Sequence, residues 1–201
     1  MSHEASRNRN PTSCIGIDDG PFPPRQPGGS KAPLVAVRLE GPHIIKAGSR
    51  WISVDGTDGT PKALELLEAL SFPKCPILLA GVTFGGFNLI DPRKIQSRFR
   101  TPTIVVIGSR PDNRAVKRAL VRHFPDWKER WKVIRGLGPL RKARTVRNEN
   151  PVFFESFGCS AKAARELILS WTLVTRAPEP LRVARLVARG LFPPVQSYRS
   201  L

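Results

Sequence analysis

The sequence predicts an α/β fold: a mixed sheet that opens with a three-strand antiparallel meander, continues in βα units and is flanked by helices. Residues 14–55 hold three apolar or β-branched runs without helical period. From Thr60 onward, apolar residues recur at helical spacing in stretches that alternate with short, fully apolar runs. The hydrophobic fraction of the 201 residues is 40%, near the globular norm and enough for one domain with a full-sized core.

The first strand lies in CIGIDDGPF (14–22) and ends at Asp18-Asp19, because an interior strand does not tolerate unpaired carboxylates. GPFPPRQPGGSKAP (20–33) is too rich in Pro and Gly for regular structure and predicts a long loop. LVAVRLE (34–40) and RWISVD (50–55) are strands, joined across the polar link GPHIIKAGS as a hairpin. Thr60-Pro61 then caps a helix with Leu64, Leu67 and Leu70 on one side. PILLAGV (76–82) reads as a central parallel strand. Asp91-Pro92 opens a short basic helix, TPTIVVIG (101–108) is a second buried strand, and Asp112 caps a helix with Val116, Ala119 and Leu120 on one face.

Residues 126–150 are heavily charged; Lys132-Val133-Ile134 and PVFFES (151–156) are candidate strands there and beyond. Ser160 caps an amphipathic helix carrying Ala164, Leu167, Ile168 and Trp171, and PEPLRVARLVAR (178–189) is another, closed by Gly190. The order β-β-β-α-β-α-β-α with a mixed tail is that of a ribonuclease H-like domain, a pattern other α/β folds share.

The net charge is +17, with Arg and Lys spread from Lys31 to Arg199. Such a field favours polyanionic partners, above all nucleic acid, and carries no sequence preference. Solubility, thermal adaptation or an acidic protein partner are the alternatives. No apolar run approaches the roughly 20 residues that span a bilayer, and MSHEASRNRNPTS lacks the apolar core of a signal peptide. Residues 1–13 and 193–201 are expected to be tails around one domain. Cys14, Cys75 and Cys159 are far apart and without Cys-x-x-Cys or His-paired spacing, so zinc and a disulfide framework find no support. They read as reduced core thiols of an intracellular, cytoplasmic protein.

The acids follow the strand ends. Asp18 and Asp19 close the first strand, Asp55 closes the third within VDGTDGT, Asp58 follows, and GVTFGGFN leads from the fourth strand to Asp91. If the first, third and fourth strands lie together, these carboxylates converge at one sheet edge. Clustered Asp side chains repel unless a cation sits among them, and hard oxygen ligands suit Mg²⁺ or Mn²⁺. Beside phosphate, such an ion supports phosphodiester hydrolysis. Each Asp also has a structural reading: Asp91 as a helix cap, Asp55, Asp58 and Asp18-Asp19 as turn residues.

GVTFGGFN (81–88) is the second unusual stretch. Gly81, Gly85 and Gly86 permit close backbone approach, Phe84 and Phe87 could stack on a base, and Asn88 could read its edge. Alternatively both phenylalanines belong to the core and the glycines only shape a loop. The glycine spacing fits neither a Walker loop nor a dinucleotide fingerprint.

Taken together, IGIDDGPF, VDGTDGT, ILLAGVTFGGFNLID, the PD after TIVVIGSR, and PEPLRVARLVA resemble the mostly archaeal family catalogued as domain of unknown function 99, from about Cys14 to Leu191. That family is similar to endonuclease V within the ribonuclease H-like superfamily, and its members are described as endonuclease dU. The resemblance implies a single endonuclease V-like domain over residues 14–192 that cuts DNA at deaminated bases, deoxyuridine or deoxyinosine, with Mg²⁺ or Mn²⁺. It implies Asp18 and Asp55 as metal ligands, with Asp91, Asp19 or Asp58 as third ligand or water-orienting base. It implies phosphate contacts from Arg110, Arg93, Lys94 and Arg98. Gly20, Thr83, Phe84, Gly85, Gly86, Phe87 and Asn88 are implied around an extruded base. Two positions depart from endonuclease V: Ala80 stands where its third acid lies, and its lysine falls near Gly108, with Arg110 the nearest cation. Ala80 and the net charge also motivate a nucleic-acid-binding protein without catalysis, and the PEPLRVARLVAR helix a docking face.

Overall fold

The computed structural model describes residues 13–22, 29–70 and 74–191. The expected tails lie outside the described residues, except that Ser13 begins the first strand. The elements are β1 (Ser13–Asp19), β2 (Lys31–Glu40), β3 (His43–Ser53), α1 (Gly59–Ala69), β4 (Ile77–Leu79), β5 (Thr83–Phe84), β6 (Asn88–Leu89), α2 (Pro92–Phe99), β7 (Thr103–Ile107), α3 (Asn113–His123), α4 (Trp127–Arg135), β8 (Arg141–Ala143), β9 (Val152–Phe157), α5 (Ala161–Ser170) and α6 (Glu179–Leu191).

Seven strands form one sheet in the order β3-β2-β1-β4-β7-β9-β8, and β5 and β6 form a separate small hairpin. β1, β2 and β3 are antiparallel, β1, β4 and β7 are parallel, and β9 and β8 return antiparallel. This is the expected mixed sheet. Period-two alternation splits its side chains between two cores. Ile15, Ile17, Ile77, Leu79 and Val105 face the side of α1 to α4. Cys14, Leu78, Ile104 and Val106 face α5 and α6.

Several expectations are corrected. The third strand does not adjoin the first, since β2 lies between them. The 41–49 link is mostly strand: β3 begins at His43 after a turn at Gly41, whose φ is +54. β3 is an edge strand with Ile44 and Ile45 exposed, so it lacks a buried-face alternation. Lys31–Pro33 belong to β2 rather than to the loop, while residues 23–28 lie outside the described residues. Lys132-Val133-Ile134 are helical, because Arg130 and Ile134, one turn apart, are the buried positions of α4. β8 is three residues long and mostly charged, too short for a pattern. α6 runs through Gly190 to Leu191. Cys14 and Cys75 are buried and Cys159 half-buried, all three as free thiols. Among the described residues, no helix is long and apolar enough to cross a membrane.

α6 lies directly on β1. A Cβ at Gly16 would sit 2.2 Å from the backbone carbon and oxygen of Pro180, in the first turn of α6. One at Gly20 would sit 2.5 Å from the Ala188 oxygen, near its end. Both obstacles are backbone, so a side chain must push the helix away. Gly16→Ala is expected to cost about 1–3 kcal/mol, as overpacking does, measured as a lowered midpoint in urea.

Candidate active site

The GVTFGGFN segment turns between β5 and β6 with Gly85 at φ +51 and Gly86 at φ +84. These left-handed conformations suit glycine and let the loop gather the acids through its backbone. The Gly85 amide donates to Asp19 Oδ2 at 2.6 Å, and the Gly85 carbonyl accepts from the Asp55 amide at 2.8 Å. The Phe87 amide donates to Asp55 Oδ1 at 2.9 Å, while Asp55 itself is held at φ +57. Asp55 therefore reaches the end of β1 through the loop, although β3 and β1 are not neighbours.

Asn88 is fully buried. Its Oδ1 accepts from the Gly59 amide at 2.7 Å, and its Nδ2 donates to the Ser53 carbonyl and to Asp58 Oδ1. Asp58 accepts further from the Ser53 amide and hydroxyl. Burial opposes ionisation of Asp58, but the hydrogen bonds from Asn88 and Ser53 outweigh it and hold its carboxyl below the ordinary value. Arg130, which the sequence does not single out, locks this assembly from α4. It is 7% exposed. Its Nη1 donates to the Gly56 and Phe87 carbonyls at 2.9 and 2.6 Å, its Nε to Asp126, and its guanidinium lies over Phe124.

Asp18 points to the opposite face of β1 from Asp19, as strand alternation requires. It is 2% exposed, and Arg185 Nε on α6 donates to its Oδ2 at 2.8 Å. Burial pushes the Asp18 carboxyl up to about 6; Arg185 pulls it down and Asp19 pushes it further up. Burial likewise raises Asp19, against the Gly85 amide. Asp18 lies in a cleft of about 600 Å³ that also contains Ala80, Arg176, Arg182, Arg185 and Arg189. Arg182, Arg185 and Arg189 recur at helical spacing on one face of α6, a signal present in PEPLRVARLVAR. Arg176 donates to the Gly108 carbonyl at 2.9 Å. The cation beside Gly108 is thus supplied from the α5–α6 connection, rather than by Arg110.

Arg110 and Thr83 line a second cavity of about 460 Å³ on the other face of the sheet, together with Val105, Trp131 and Glu155. The two cavities share Ala80, Ile107 and Pro111 at the ends of β4 and β7. In open α/β sheets, ligands bind beyond the carboxyl ends of the strands.

Other expected site residues take structural places. Asp91 Oδ1 caps α2 by accepting from the Arg93 amide. Phe84 is 1% exposed in the core, and Phe87 packs edge-on against Phe124. Neither is placed to stack on a base, because the hairpin turns both rings inward. Asn88 has its amide committed on both sides, and Gly20 packs against α6. Arg93 lies over Phe157 and, with Lys94, beside Asp91 and Glu129. Arg98 pairs with Glu68.

Among the described residues, no three His, Cys, Asp or Glu side chains group as a metal cage. Asp91 accepts from the first turn of its own helix and Asp55 from the loop, so the structure does not gather Asp18, Asp55 and Asp91 into such a group. The donors present fit a different kind of site. Mg²⁺ commonly keeps several waters and binds through one or two carboxylates plus substrate phosphate. Asp18 offers a hard oxygen donor in a cleft, where burial raises its carboxyl against the pull of Arg185.

The architecture is a ribonuclease H-like fold of the endonuclease V kind. It is similar to endonuclease V of Ciona intestinalis in complex with a 23mer DNA containing an inosine followed by a ribo-adenosine, with a TM-score of 0.57 at 16% identity, covering 89% of this chain and 84% of that one. Within that class, the chain belongs to the endonuclease dU family, which it matches over residues 11–192. It is 37% identical to a UPF0215 protein of Thermococcus gammatolerans over 181 residues, 89% of this chain and 91% of the relative. It is also similar to the crystal structure of a protein of unknown function from Archaeoglobus fulgidus, with a TM-score of 0.78 at 27% identity, covering 90% and 98% of the two chains.

Proposed function

We propose that this protein is a divalent-metal-dependent endonuclease that hydrolyses phosphodiester bonds in DNA at or near deaminated bases, deoxyuridine or deoxyinosine. The observation that carries the reading is one buried carboxylate, Asp18, at the end of β1 in a cleft whose cations, among the described residues, are all arginines. Family membership and the DNA-bound neighbour support it. Asp18 would hold Mg²⁺ or Mn²⁺, an ion that supplies an activated water and stabilises charge on the leaving oxygen. Arg176, Arg182, Arg185 and Arg189 hold the strand's phosphates, which guanidinium groups grip through paired hydrogen bonds. The second cavity receives the extruded base, and a mispaired base costs least to extrude. The aspartates of the loop, with Arg130, position the ends of β1 and β4.

The test is nicking of a duplex carrying one uracil or one inosine. The expected result is cleavage that requires magnesium and is weaker on the undamaged duplex. Salt-sensitive binding without any metal-dependent cleavage would replace this reading with that of a non-catalytic nucleic-acid-binding protein.

A further inference from the structure

The second cavity contains a group that cleavage does not use. Glu155 on β9 is 4% exposed, and its Oε2 has no hydrogen-bond partner among the described residues. A buried polar atom left unpaired is costly, and such costs persist where a ligand completes the pairing. The cavity around it is largely apolar, with Val105, Val116 and Ile134, and is of a size that takes small molecules. Trp131 offers an aromatic ring in the same wall. The cavity and the Asp18 cleft share Ala80, Ile107 and Pro111 in their walls, at the ends of β4 and β7.

We propose that Glu155 is a base-binding residue, whose carboxyl receives the edge of an extruded deaminated base, where a ring N–H stands beside a carbonyl as in uracil and hypoxanthine. This rests on the endonuclease reading above and names the base-binding group of that site. A neutral carboxyl has one O–H donor and one carbonyl acceptor; it accepts from the ring N–H and donates to the base carbonyl. An ionised one accepts only, and faces that carbonyl with lone pairs. Burial pushes Glu155 up to about 7, against the Gly138 amide, Arg141 and Arg93. Arg110 and Arg135 line the same cavity. The neutral form is therefore populated at neutral pH and is lost above it. A neutral carboxyl also pairs with cytosine, so Glu155 contributes affinity for the extruded base, while the cost of extruding a paired base sets the preference for a mismatch.

The experiment measures affinity of the full chain and of two Glu155 variants, in EDTA, for a duplex with one U·G mismatch, from pH 6 to 8.5. At pH 6 the wild type is expected to bind this duplex roughly fivefold or more tightly than Glu155→Met, the scale of one bidentate base contact, with the advantage shrinking as pH rises past 7. Glu155→Gln keeps a donor and an acceptor at every pH, so its advantage over Glu155→Met should survive at pH 8.5. Thermal melting checks that both variants fold. A wild-type advantage over Glu155→Met that is absent or independent of pH overturns the proposal. If binding behaves as expected but magnesium produces no nick, the base pocket stands and the endonuclease reading fails. Nicking whose rate is indifferent to Glu155 keeps the endonuclease and removes the base pocket.

Discussion

Asp18→Asn is expected to lower strand cleavage by at least about 10³-fold while leaving the protein folded. The loss removes the one charged donor for a divalent ion that the described residues place in the arginine-lined cleft, and metal stabilisation of transition-state charge amounts to several kcal/mol, about one decade of rate per 1.4 kcal/mol. The pH dependence has a definite sign. A cation binds the ionised carboxylate, and burial has raised Asp18 to about 6. Cleavage should therefore climb about tenfold per pH unit below 6 and level off above it. Stability runs the other way. A carboxyl whose folded value is raised binds its proton more tightly in the folded state, so its stabilisation is complete below the ordinary carboxylate value and is lost as pH rises through about 6. The change is at most about 3 kcal/mol, and Asp18→Asn should abolish it, melting higher than wild type at pH 8. Single-turnover nicking and thermal melting measure both effects, and undiminished nicking by the variant would remove Asp18 from the site.

Arg130→Met should destabilise the fold more than either Gly16→Ala or Asp18→Asn. Arg130 is buried, and its removal leaves the Gly56 and Phe87 carbonyls and Asp126 without their donor. Breaking such a buried charged network costs about 3–5 kcal/mol, a fall in melting temperature of roughly 10 °C or more for a domain of this size. Nicking should suffer as well, since the same carbonyls belong to the turns that carry Asp55 and Gly85. Arg130→Lys should recover only part of the loss, because a lysine cannot reproduce the planar fork. A variant melting within a few degrees of wild type would mean that Asn88 and the aspartates hold the loop unaided.

The sheet was legible where strands are buried on both faces. CIGIDD, ILL and TIVVI are continuous apolar runs, and their parallel pairing follows from the helices between them. The edge elements were not. β3 exposes Ile44 and Ile45, and β8 consists largely of charge, so neither leaves a buried-face signature. At the site, Asp18 was legible because a carboxylate in an apolar run demands a partner. That partner, Arg185, lies 167 residues away, a pairing no local pattern encodes. Glu155 was hidden for a related reason: a lone acid within VFFESF reads as a solvent-facing strand residue until α4 and the segment that follows it, through Leu140, wall in its face of the sheet.

By itself, the sequence determined the class of fold, the strand ends on which acids fall, the caps at Asp91, Asp112 and Ser160, and a positive field suited to a polyanion. These are local properties of period, charge and turn chemistry. Only the tertiary structure decided which acids share a site. Asp18 and Asp19 are adjacent in sequence yet face opposite sides of the sheet. Asp55 comes to β1 through a glycine loop rather than by strand pairing, and Asp91 turns away to cap its helix. The physical reason is that burial and hydrogen bonding, not proximity along the chain, set whether a carboxylate is committed to structure or left to bind a ligand.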